Sequence, residues 1–169
     1  MKGVILAGGN GTRLSPITET INKHLLPVYD KPLIYYPLSN LLLTGCDEIL
    51  VISSKESLIL LKNQLGNGER FGVSISYQAQ ESPDGIPSAI YLAKSFADGE
   101  DIWVSLGDNF IFGSRIKELY EKVNNSNKAT IFIKHVGNIS GLGSAKVGDG
   151  KIQNLKEKPK SSKPGWAVT

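Results

Sequence analysis

Lys2-Gly3-Val4-Ile5-Leu6-Ala7-Gly8-Gly9-Asn10-Gly11-Thr12-Arg13-Leu14 decides how the rest of the chain is read. An unbroken apolar run that empties into a glycine-rich turn has the form of a strand covered on both faces in a parallel sheet. Because glycine lacks a Cβ, such a turn can take positive φ and bring backbone N–H groups close to an anion. Arg13 in the loop and Lys23 behind it add a planar fork and a point charge. The combination points to a place that holds phosphates, while the glycines taken alone leave a tight, unliganded turn open.

Spacing removes two familiar alternatives. A dinucleotide-binding fingerprint requires a third glycine where this chain has Leu14, and an acid at the end of a promptly following strand. A P-loop requires a Gly-Lys-Ser/Thr ending that opens a helix, whereas Gly11 is followed by Thr12-Arg13-Leu14-Ser15-Pro16.

Composition sets the outer limits. The chain has 169 residues, 40% of them hydrophobic and 21% charged, which is enough to bury one sizeable core. The single cysteine, Cys46, excludes a disulfide framework and fits a cytoplasmic, reducing setting; it reads as a small core residue. The apolar run after Met1 ends before it reaches signal-peptide length, and no stretch approaches a membrane span. A net charge of +3 is too mild to argue for a nucleic-acid surface, and the basic run 156–163 reads as a solvated face.

Outward from the loop, Pro16, Pro27 and Pro32 predict a long ordered connection over 15–32, a length that is usually functional. Asp30 before Lys31-Pro32 predicts a helix start, with a buried helix over 33–44 stopped by Gly45. Residues 48–53 read as a second buried strand, 54–65 as a helix capped by Ser54, and 73–78 as a half-buried strand. Ile86, Ala89, Ile90, Ala93 and Phe96 fall at helical spacing. The strand 102–106 runs into Gly107-Asp108-Asn109, on the rim where ligands of open α/β sheets collect. Asp108 is thus a metal or ligand candidate, with a turn-capping role as the alternative. A helix capped by Ser114, with Ile116, Leu119, Tyr120 and Val123 on one face and ending in the polar loop 124–127, a strand over 129–136 and a hairpin turning at Gly148-Asp149-Gly150 follow. The last ten residues read as loop. His24 and His135 read as structural, since no second His or Cys spacing accompanies them. The expected fold is α/β: a three-layer, Rossmann-like, open and mostly parallel sheet with helices on both faces, ending in a β-hairpin, as one domain over 1–169.

The motifs form an ordered set: residues 6–14 as quoted, Lys23-His24-Leu25-Leu26-Pro27-Val28-Tyr29-Asp30-Lys31-Pro32, Tyr35-Tyr36-Pro37-Leu38, Gln80 with Pro83-Asp84-Gly85, Gly107-Asp108-Asn109, and Glu157-Lys158-Pro159. In order and spacing they resemble the sugar nucleotidyltransferases, in the branch that joins thymidine nucleotides to glucose 1-phosphate. The resemblance implies transfer of a nucleotidyl group from dTTP (or UTP) to a sugar 1-phosphate, with Mg²⁺ as cofactor. It implies that Leu6, Ala7, Gly8, Gly9, Gly11 and Thr12 receive the nucleotide and that Arg13 meets the departing pyrophosphate. Lys23 would contact the reacting phosphates, Gln80 would read the base edge beside Pro83 and Gly85, and Asp108 would hold the metal. Gly143, Glu157 and Lys158 would contact the sugar phosphate. In-line nucleotidyl transfer asks an enzyme mainly to position two anions and neutralise charge, so the lack of a nucleophile–histidine pair agrees with this chemistry.

Two local departures, Lys156 before Glu157 and the missing aromatic in Gly141-Leu142-Gly143, bear on the sugar. Members of the family continue well past Thr169, so the chain is expected to be shortened relative to them, to leave a sheet edge open and to self-associate as a homo-oligomer. A catalytically incomplete nucleotide- or sugar-phosphate-binding module is the alternative reading.

Overall fold

β1 (Lys2–Leu6) is buried at every position, as the apolar run requires. The structure is a computed structural model describing residues 1–9, 11–82, 85–126, 128–160 and 162–168. It divides into two compact units, Met1–Asn124 and Asn125–Thr169.

In the first unit the long connection after β1 is ordered by three short 3-10 turns and a two-stranded ribbon of β2 (Pro27–Val28) and β3 (Lys31–Pro32). The ribbon corrects the expected helix start at Asp30. Tyr29 and Asp30 make the ribbon's turn, with Tyr29 at φ 62° and the Asp30 carboxylate held by Lys31 at 2.7 Å. α1 (Tyr35–Leu43) begins only after Ile34. There follow β4 (Glu48–Ser53), α2 (Lys55–Leu65), β5 (Ser74–Ala79), α3 (Ile86–Leu92), α4 (Lys94–Ala97), β6 (Ile102–Leu106) and α5 (Ile116–Asn124). Ser54 caps α2 by accepting the Ser57 N–H at 3.3 Å. The stripe from Ile86 to Phe96 is two helices rather than one: the Ala93 N–H bonds back to Ile90 at 3.0 Å, a tightened turn that ends α3 and starts α4.

The sheet runs β5-β4-β1-β6 and all its pairings are parallel. Its register explains the two cores. Ile5 lies beside Val51, and Val51 beside Tyr77, so odd-numbered positions share one face. That face buries Ile5, Ala7, Ile49, Val51 and Ile75 against Leu38 and Leu41 of α1 and Leu61 and Leu65 of α2. The other face packs Val4, Leu6, Leu50 and Ile52 against Ala89 of α3, Ala93 and the flanking Leu92 and Phe96. Helices therefore cover both faces, which gives the three expected layers.

The second unit is an antiparallel sheet of β7 (Ile133–Val136), β8 (Ser144–Gly148), β9 (Lys151–Lys156) and β10 (Gly165–Val168), in the order β7-β10-β8-β9. The β8–β9 hairpin turns on Asp149 and Gly150, both at positive φ, as its turn chemistry predicts. The strand expected over 129–136 is realised only in its last four residues. Residues 165–168, expected to be loop, form instead an inner strand paired on both sides. Ala167 is buried there and Trp166 meets the His135 ring edge-on at 5.3 Å. Such pairing is set by partners distant in sequence, and a four-residue strand after lysine and proline carries little local signal for it.

Candidate active site

The site lies where the sheet changes direction. β4 and β5 continue to one side of β1 while β6 pairs on the other, so the carboxyl ends of β1 and β6 flank a topological switch point, the usual crevice for ligands in open α/β sheets. Both landmark motifs leave the sheet there. The Gly107 N–H bonds to the Leu6 carbonyl at 2.8 Å, extending the ladder by one residue and delivering Asp108 beside the glycine loop.

Lys23 and Asp108, 85 residues apart in sequence, meet in an ion pair at 2.7 Å. The lysine side chain is only 17% exposed and the carboxylate 42%, so the pair is partly desolvated yet open on one side. Burial pushes the Asp108 carboxyl up, but the hydrogen bond and charge of Lys23 outweigh it and hold the group below the ordinary carboxylate value. Asp108 is thus an anion at neutral pH, resting on a lysine.

The glycines are spaces that working groups fill. A Cβ on Gly8 would stand 2.9 Å from Oε1 of Gln80, and one on Gly9 would stand 3.0 Å from the Lys23 ammonium. Gly11, in the left-handed region at φ 65°, would press on Thr18 and on the stem of Lys23. The Thr18 hydroxyl donates to the Gly11 carbonyl at 2.8 Å and pins the turn. Gln80 is anchored by its N–H to Ser53 at 2.8 Å, and its amide reaches the Gly85 carbonyl at 3.5 Å.

The structure therefore brings Gly8, Gly9, Gly11, Lys23, Gln80, Gly85 and Asp108 onto one rim. Leu6 and Ala7 stand just beneath it. Their side chains belong to the two cores, and the Ala7 carbonyl accepts from the Ser53 hydroxyl at 2.7 Å. Thr12 and Arg13 are exposed in the first 3-10 turn, and Arg13 has no ion-pair partner among the described residues. Pro83, with Asn10 and Asp84 of the quoted motifs, lies outside the described residues. In the second unit, Glu157 Oε2 lies 3.5 Å from where a Cβ of Gly143 would be. Lys158, at φ 39°, pairs with Glu157 at 3.5 Å. An open groove of about 590 Å³ along Gln78, Tyr91, Lys94 and Asp98 contains none of the expected site residues.

Sequence reasoning missed two residues at this rim, Thr18 and Asn22, and named Gly107 only as part of the motif that carries Asp108. Asn22 caps the turn that carries Lys23, its side-chain oxygen accepting the His24 N–H at 2.8 Å. The Asn-x-His spacing, read as a capping turn, would have found it. His24, expected to be structural, is 1% exposed, and burial followed by the charge of Lys23 depresses its pKa to about 4.

The donor set suits a hard cation in part. Asp108 offers a half-exposed carboxylate, the ligand type Mg²⁺ takes. Among the described residues no three His, Cys, Asp or Glu side chains gather to form a metal cage. A magnesium ion at Asp108 would draw its remaining oxygens from phosphate and water, the usual arrangement in phosphoryl-transfer sites.

A switch-point glycine loop, with a lysine and an aspartate joined above it, is an arrangement able to hold phosphates on an α/β sheet. Residues 2–169 match the family described as nucleotidyl transferase, and the chain belongs to that family. Its relatives narrow the class. It is 44% identical to the glucose-1-phosphate thymidylyltransferase of Neisseria meningitidis over 100% of this chain and 59% of that protein. It is 41% identical to the enzyme of the same name from Mycolicibacterium smegmatis, over 99% of this chain and 59% of that one. A crystal structure from Bacillus anthracis, described as a glucose-1-phosphate thymidylyltransferase in complex with sucrose, superposes with a TM-score of 0.90 at 39% identity, covering 100% of this chain and 69% of its own. A UDP-glucose pyrophosphorylase complexed with UDP-glucose gives 0.78 at 25% identity, over 99% of this chain and 73% of its own. The chain spans about 59% of the length of the curated relatives it matches.

Proposed function

We propose that residues 1–169 form the nucleotide-binding portion of a glucose-1-phosphate thymidylyltransferase-like enzyme. The reaction joins dTTP, or UTP, to glucose 1-phosphate or a related sugar 1-phosphate and releases pyrophosphate. The observation that carries this reading is the 2.7 Å pairing of Lys23 with Asp108 above Gly8, Gly9 and Gly11 at the switch point.

A phosphate oxygen of the sugar 1-phosphate attacks the α-phosphorus of the nucleotide as the bond to the pyrophosphate oxygen breaks. Charge shifts onto the leaving group, and no strong base is required. Lys23 moves from Asp108 to the transferred phosphate, Arg13 neutralises the departing pyrophosphate, and the loop N–H groups hold the triphosphate. Gln80 reads the pyrimidine edge next to Gly8 and Gly85, with Leu6, Ala7, Thr12 and Pro83 assigned to the nucleotide. Gly143, Glu157 and Lys158 serve the sugar phosphate, Lys158 as the charge on its phosphate. Mg²⁺ held by Asp108 supplies charge neutralisation to the phosphates when bound. The sugar-joining role belongs to the cytoplasm, where no membrane or nucleic-acid partner is required, and the chain works as a homo-oligomer.

The test is pyrophosphate release from dTTP and glucose 1-phosphate with Mg²⁺, in a coupled assay run beside calorimetry. Turnover that disappears in Asp108→Asn supports the enzyme. Binding of dTTP with no turnover identifies a binding module instead, and neither binding nor turnover refutes the site.

A further inference from the structure

Beside the ion pair sits a side chain that the proposed chemistry does not use. The His24 ring is buried, and each of its two ends touches something that bears on the site. At one end, Nδ1 lies 2.8 Å from Oδ1 of Asn22, the same oxygen that accepts the His24 backbone N–H at 2.8 Å. The Asn22 amide nitrogen donates to the Ser57 hydroxyl at 2.7 Å, in the first turn of α2. This arrangement assigns the Asn22 amide, so Oδ1 must accept from the ring and Nδ1 carries the proton. At the other end, the ring fills the space a side chain on Gly107 would take, since a Cβ there would lie 2.7 Å from Cδ2 and 2.9 Å from Nε2.

Gly107 is the residue before Asp108, and His24 is the residue after Lys23. We infer that His24 is the positioning residue of this site, a buried wedge whose ring, tethered by Asn22, sets the separation of Lys23 and Asp108. The tether runs from α2 through Ser57 and Asn22 to the turn bearing Lys23, and the wedge bears on the residue that aims Asp108. The Lys23 stem itself runs over Gly9 and Gly11, where a Cβ would come within 3.0–3.3 Å of it. The inference rests on the proposed roles of Lys23 and Asp108 toward phosphate, where displacement by about 1 Å lowers rates by up to about a hundredfold.

The experiment reads the geometry directly as well as the rate. The Lys23 ammonium is followed as a protected ¹⁵N signal, assigned by its loss in Lys23→Arg, and kcat and KM for dTTP are measured in parallel. His24→Ala is expected to broaden the Lys23 signal away and to lower kcat per folded molecule at least tenfold, with KM within about threefold. His24→Asn keeps a donor in the place of Nδ1 and is expected to recover part of both. A residue that only fills the core would lower the melting temperature and leave the signal and kcat per folded molecule unchanged, and that outcome overturns the inference. If His24→Ala does not fold, His24→Phe keeps the wedge and removes the donor to Asn22. A weakened Lys23 signal in that variant supports the inference, and an unchanged one overturns it. Absence of turnover in the wild type refutes the proposed reaction alone, because the ammonium signal still decides the positioning role.

Discussion

A neutral histidine sealed under the site should make the first unit sensitive to mild acid, and the size of the effect follows from its surroundings. Burial, then the charge of Lys23, depresses the His24 pKa from 6.5 to about 4, while Asp108 opposes this weakly. The unfolded chain therefore takes up a proton near pH 6.5 that the folded chain refuses until about pH 4. Stability is complete above the unfolded value and is lost as pH falls toward the folded one. At about 1.36 kcal/mol per pH unit, the loss is roughly 2 kcal/mol at pH 5 and about 3 kcal/mol by pH 4. Asp108, held below its ordinary value, keeps its charge between pH 7.5 and 5 and does not contribute in that window. The assay is urea unfolding at pH 7.5 and 5.0 in a Trp166→Phe background, so that fluorescence reports Trp103, which packs on Tyr120 in the first unit. The wild type should lose about 2 kcal/mol between the two conditions, and His24→Asn, which cannot titrate, should lose little. Equal losses in the two proteins would refute the reasoning, because the acid sensitivity would then belong to other groups.

Other outcomes follow from the same geometry. Asp108→Asn and Arg13→Ala should each reduce kcat about a hundredfold, the effect of removing about 3 kcal/mol of charge stabilisation, as measured by pyrophosphate release. Gly8→Ala should displace the Gln80 amide, whose oxygen stands 2.9 Å from the new methyl, at little cost in stability because that amide is a mobile end. Competition between dTTP and UTP should then show weaker discrimination, and unchanged selectivity would remove Gln80 from base reading. Ile5→Ala, in the wholly buried centre of the sheet, should cost about 2–5 kcal/mol in chemical unfolding.

Much of the fold was legible because local patterns and the global sheet agree. The apolar runs of β1 and β4 demanded burial on both faces, and the switch-point rule placed Gly8 and Asp108 together before any contact was known. The ordered motifs then supplied the family. The misreadings have a common cause in pairing over distance. Asp30 carries capping chemistry, yet Lys31 and Pro32 are taken by the ribbon with Pro27 and Val28. Residues 165–168 show no strand signal of their own and become a strand through β7 and β8. His24 was read as a structural histidine, but nothing in a linear sequence shows that it is buried or that the space it occupies is the one left empty by Gly107.

That empty space has a practical meaning. Gly8, Gly9 and Gly107 each face a different polar side chain across a gap narrower than a methyl group can share: Gln80, Lys23 and His24. An alanine at Gly8 or Gly9 therefore acts as a molecular feeler gauge, pushing one flexible side-chain end by a few tenths of an ångström and leaving its chemistry intact, whereas one at Gly107 would press on the buried His24 ring at 2.7 Å and on the Leu6 carbonyl at 3.1 Å and force a larger rearrangement. The two single-methyl probes at Gly8 and Gly9 would measure how much positional slack the Gln80 amide and the Lys23 ammonium each tolerate, a quantity that deleting the groups themselves can never report.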